Sequence, residues 1–101
     1  THVGNSLIFF YPGGHTCTAV PGSIKYNVMH EGEVHFAVQH QLPASEDVPD
    51  MFSHYPHFPA SLYSAKLSDI LEFVWPSWVV CHFAWWQYSQ RDTVILRLHQ
   101  V

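Results

Sequence analysis

Two stretches of this chain alternate apolar and polar residues with a period of two. Ile24, Tyr26 and Val28 alternate with Lys25, Asn27 and Met29, and Val34, Phe36 and Val38 alternate with Glu33, His35, Ala37 and Gln39. That period predicts strands with one face buried, and His30-Glu31-Gly32 between them predicts the turn of a hairpin. A third strand is expected over Ser6 to Tyr11 (SLIFFY), stopped by Pro12-Gly13-Gly14. A short one over His15 to Val20 would end at Pro21-Gly22.

Val79 to Tyr88 (VVCHFAWWQY) is apolar at both alternating sets of positions, which predicts a central strand covered on both sides. Ser89 to Asp92 would turn the chain into a last strand carrying Val94, Leu96 and Leu98. Ser64 to Trp75 is ambiguous in period. Leu67, Ile70, Leu71 and Val74 fit a helical stripe, whereas Leu71, Phe73 and Trp75 fit a strand ending at Pro76. A short helix or loop followed by a strand is expected there. Residues 41–60 hold Pro43, Pro49, Pro56 and Pro59 with Met51, Phe52, Tyr55 and Phe58 among them. They predict one long proline-rich surface excursion, functional or interfacial. Together these elements predict a single all-β domain over 1–101, an antiparallel β-sandwich of jelly-roll type with at most one short helix.

Composition adds a bias toward covered surface. Charged residues are 12% of the chain and aromatics 16%, about half and well above their usual shares respectively. A small chain with so few charges is expected to hide part of its surface against other chains in a homo- or hetero-oligomeric assembly. Lys25, Lys66, Arg91 and Arg97 form no cluster, so there is no footprint for nucleic acid, and no apolar run is long enough for a membrane span. Nine histidines against a formal charge of −4 mean that full histidine protonation would bring the chain to +5 (−4 + 9). If those histidines lie at interfaces with pKa values depressed by burial, acidification near pH 6 loosens the contacts. Carboxylate neighbours such as Glu31, Glu33, Glu46 and Asp47 would reverse that sign.

Candidate chemistry is sparse. Glu31, Glu33 and His35 have the alternate-residue strand spacing and donor types suited to a metal, with His30 alongside. They are expected as polar residues on the solvent face of the hairpin; only the metal-binding alternative would use His30, Glu33 and His35. The stretch from Pro21 to Val38 resembles the first cupin motif, without its His-x-His or the second motif's Pro-x-Gly-x-x-His. His54 and His57 are three apart in the excursion, but Pro56 between them opposes a helix, so they are expected as interface or pH-sensitive residues rather than metal ligands. No Gly-x-Ser-x-Gly elbow is present, and Cys81 and His82 point to opposite faces of a strand. No enzyme and no cofactor is expected. Cys17 and Cys81 lack the tryptophan and tyrosine that accompany an immunoglobulin disulfide, so both are expected as buried free thiols. Trp75, Trp78, Trp85 and Trp86 could form a ligand platform, but core packing plus subunit contact is the expected role, with Trp75, Trp78 and Trp86 as contact candidates. A lectin-like module using Trp75, Trp78 or Trp86 is the alternative.

Two fragments are similar to the capsid proteins of picorna-like viruses: Phe9 to Val28 (FFYPGG…PGSIKYNV) and Leu62 to Trp78 (LYSAKLSDILEFVWPSW), about a third of the chain. The resemblance implies a jelly-roll subunit of an icosahedral shell, located in the virion, with no catalysis. A start at Thr1 suits release from a polyprotein. The alternatives are a small cupin-like metal-binding protein or enzyme and a lectin-like module, which would place the chain in the cytoplasm.

Overall fold

The computed structural model describes residues 6–14, 18–45, 47, 49–55 and 57–98. The elements are β1 (Leu7–Phe10), β2 (Val20–His30), β3 (Glu33–Pro43), β4 (Ala60–Leu67), β5 (Glu72–Val74), β6 (Val79–Gln87) and β7 (Asp92–Leu98), with a 3-10 turn over Pro76–Trp78. Every strand pairing is antiparallel. Hydrogen bonding runs in the order β2-β1-β6-β7-β4-β3, and β2 also pairs with β3, so six strands form a closed ring.

That closure overturns the sandwich expectation and, with it, the capsid resemblance. A jelly roll sets two sheets face to face; here one continuous sheet returns to its own first strand as a barrel. The described part of the Phe9–Val28 fragment is the end of β1, the turn at 12–14 and most of β2, and the Leu62–Trp78 fragment runs from β4 through β5 into the 3-10 turn. Both are pieces of the barrel wall or its cover. The helical stripe over Ser64 to Trp75 is no helix: β4 continues to Leu67, a bend follows, and Glu72–Val74 pairs with β3. Proline at 76 then turns the chain.

Register separates the two sides of the wall, because directly paired residues point the same way. Leu7 with Ser23, Phe9 with Cys81, Phe83 with Arg97, Trp85 with Ile95, and Tyr63 with Thr93 belong to the inward set. Phe9, Phe83 and Ile95 fill the lumen with Leu7, Tyr63 and Cys81 around them. Phe9 and Phe83 meet edge to face at 5.6 Å, and the Arg97 guanidinium lies 4.4 Å over the Phe9 ring.

The outward side carries two further cores. Ile8, Phe10 and Val38 are covered by Val74 and Trp78 from β5 and the 3-10 turn. Ala60, Leu62 and Val94 are covered by Ala44 and Phe52 from the proline-rich excursion. Ile8, Phe9 and Phe10 are therefore all buried, and β1 is the strand covered on both faces. The both-faces expectation for β6 fails, since Val80, Trp85 and Trp86 are 43%, 51% and 48% exposed.

The β2–β3 hairpin forms as expected, with His30 opposite Glu33 and the two-residue loop Glu31-Gly32 between them. Both loop residues have positive φ, 52° and 79°, the handedness that matches strand twist. The β6–β7 hairpin also forms, its turn held by Tyr88 N–H donating to the Asp92 carbonyl at 3.0 Å. The excursion is fixed rather than free. The Asp50 carboxylate accepts from Phe52 N–H at 2.8 Å and from Leu62 N–H at 3.2 Å. The expected strand at 15–20 falls partly outside the described residues, as does Cys17; Val20 already belongs to β2.

Candidate functional site

One end of the barrel stays open. There the inward positions shift from large apolar groups to a mixture of small, aromatic and amide side chains, leaving a cavity of about 310 Å³. All six barrel strands contribute to its lining: Leu7 from β1, Ser23 from β2, Gln41 from β3, Ala65 and Leu67 from β4, Phe83, Trp85 and Gln87 from β6, and Thr93 from β7. Phe83 closes the floor at 2% exposure, and Trp85 stands half exposed at the opening. A volume of this size with apolar walls and a few polar groups is the usual form of a small-molecule site, and the mouth of a barrel is a usual place for it.

The polar groups of the mouth are already partly engaged. Gln41 Nε2 donates to the Ser64 carbonyl at 2.7 Å, Gln87 Nε2 to the Ser89 carbonyl at 3.0 Å, and Thr93 Oγ1 to the Trp86 carbonyl at 2.9 Å. Among the described residues, no acidic, basic or histidine side chain lines the cavity. Deeper in the lumen, burial pushes the Tyr63 phenol and the Cys81 thiol above their ordinary pKa values, while the Arg97 charge opposes both shifts. Both groups are thus held neutral beneath the mouth. Cys81 is a free thiol, partly rather than fully buried.

The residues singled out from sequence lie elsewhere. His30, Glu33 and His35 share one face of the hairpin, because His30 pairs with Glu33 and His35 with Val28. They do not converge: among the described residues no group of three or more His, Cys, Asp or Glu side chains could hold a metal ion. His30 instead approaches Glu31 at 3.8 Å. His35 packs against Trp75 with ring centroids 4.2 Å apart, and its Nε2 is buried without a hydrogen-bond partner. These two, with Val28, His30 and Phe73, border a shallow groove of about 350 Å³. His54 and His57 are exposed on the excursion. Trp78 supports the outer core and Trp86 points outward from β6.

Among the mouth residues, sequence reasoning drew attention to Trp85 alone, as one of four tryptophans that could form a ligand platform. The signal was present in the alternation: Phe83, Trp85 and Gln87 are every second residue of one strand. Knowing that they converge with Leu7, Ser23 and Gln41 requires the strand order. The described residues include no helix long and apolar enough to cross a membrane. Comparison with known proteins finds no matching family model, curated protein or solved structure. Fold and site together define a small closed antiparallel barrel with a ligand-sized mouth.

Proposed function

We propose that this protein is a single-domain binding module that holds a small, largely apolar molecule in the mouth of its barrel. The observation that carries this reading is the convergence of all six barrel strands on one uncharged, mostly apolar cavity of about 310 Å³. A closed barrel satisfies its own strand edges, so the fold needs no partner chain to complete its sheet. This suits the small-barrel alternative better than the shell subunit. The metal-binding form of that alternative finds no support in the arrangement of His30, Glu33 and His35.

Ala65 offers a direct test, since it lies on the rim and is exposed, so a larger side chain there fills the opening without entering the core. The neutral dye N-phenyl-1-naphthylamine is expected to bind with enhanced emission and saturate at one equivalent. Ala65→Trp is expected to weaken that binding more than tenfold while leaving the thermal midpoint within about 3 °C, as a surface substitution should. Dye binding that survives Ala65→Trp but is lost in Phe58→Ser would move the ligand to the exposed hollow around Met51, Phe52, Tyr55 and Phe58, and the reading would be wrong.

A further inference from the structure

The mouth's hydrogen-bonding inventory is lopsided, and the imbalance points to a ligand class. Thr93 is 3% exposed, and its hydroxyl proton is committed to the Trp86 carbonyl. What Thr93 Oγ1 still offers the cavity is lone pairs alone. Gln41 and Gln87 each commit one Nε2–H to a backbone carbonyl, which leaves each amide one N–H and a carbonyl oxygen with two acceptor sites. Ser23 adds a hydroxyl able to act either way. The remaining side-chain capacity is thus weighted toward accepting.

Charge narrows the class further. With no Lys, Arg or His among the described residues of the lining, an anion entering the mouth would lose its hydration and gain no counter-charge from them. With no Asp or Glu there, a cation meets the same obstacle. The walls that remain are the flat faces of Phe83 and Trp85 beside Leu7 and Leu67, which favour a planar apolar body.

Building on the mouth as the binding site, we infer that the ligand is a neutral aromatic molecule of one or two rings bearing an N–H or O–H donor, and that Thr93 Oγ1 accepts from it. Thr93 Oγ1 already donates to the Trp86 carbonyl, so a ligand donor adds a bond to its remaining lone pairs and a ligand without a donor forgoes that bond.

Indole and 1-benzofuran separate this inference from the reading beneath it, because the two have nearly the same shape and differ in the N–H. Titrations followed by calorimetry are expected to give indole about tenfold tighter binding than 1-benzofuran, the scale of one buried hydrogen bond. Thr93→Val keeps the β-branched shape and should bring the two ligands to within about twofold, by weakening indole only. Equal binding of the two by the unaltered protein, or tighter binding of 1-benzofuran, would overturn the donor assignment while leaving the mouth as the site. Preference retained in Thr93→Val would remove Thr93 as the acceptor. Failure of both molecules to bind would sink the site and the inference together.

Discussion

Gly22 shows how closely the wall of the barrel is packed. A Cβ built there would lie 2.8 Å from Val38 Cγ1 and 2.9 Å from Phe10 Cε1, both core side chains. Gly22→Ala is therefore expected to destabilise the fold by about 1–3 kcal/mol through overpacking, measured by urea unfolding with an unchanged slope. An unaltered midpoint would mean the β1–β2–β3 outer core is loose. From sequence, Pro21-Gly22 reads as a stop signal, and the structure places both residues inside β2. Pro21 is tolerated because it pairs with Phe9 of β1, while pairing of β2 with β3 begins only at Gly22. The two residues most disruptive by propensity are accepted because tertiary packing needs a missing N–H side and a missing Cβ there. Propensity alone has no access to that. Glu31 makes the opposite point: its positive φ belongs to a hairpin turn that the flanking alternation had already marked.

At the scale of elements, strands with one clean face were legible and strands with two were not. The β2–β3 and β6–β7 hairpins follow from period-two alternation and polar turns. The segment from Ser64 to Trp75 resisted because it serves two structures. Up to Leu67 it is barrel wall, and from Glu72 it is a three-residue strand laid along β3 beyond the point where β4 leaves. So short a strand needs an anchor, and His40 of β3 supplies one by hydrogen bonding through Nδ1 to the Glu72 carboxylate. Both side chains are about one-third exposed, so the contact is worth about 1 kcal/mol rather than the value of a buried pair. Glu72→Ala is expected to lower global stability by about that amount. It should also speed amide hydrogen exchange locally, at Phe73 and Val74, more than in β6 or β7. Uniform acceleration across all strands would show that β5 unfolds only with the barrel.

For the whole molecule, composition was read as a surplus of apolar surface hidden against other chains, and the chain itself supplies part of that cover. Much of the surplus is hidden within the chain itself, by Val74 and Trp78 over one outer face and by Ala44 and Phe52 over another. Phe52 and Phe58 stack at 5.6 Å on the excursion, where Met51, Tyr55 and Phe58 remain exposed. The histidines are scattered in the same way. His40 anchors β5, His82 Nδ1 lies 3.3 Å from the Leu7 carbonyl, His35 is set against Trp75, and the others described are exposed. No common titrating cluster emerges among the described residues. All-β character and the two hairpins were therefore open to sequence reasoning. Ring closure was not, because it depends on which strands meet after the long excursion. The mouth depends on closure, and so it could not be seen before it.

Closure and mouth can be tested together by mapping backbone amide shifts of the isotope-labelled protein during titration with indole. The account predicts saturable changes concentrated at Leu7, Ser23, Gln41, Leu67, Phe83, Trp85, Gln87 and Thr93, one region assembled from all six strands. Changes confined to Val28, His30, His35, Phe73 and Trp75, or to the Met51–Phe58 hollow, would contradict it, as would saturating indole without any change at the barrel mouth.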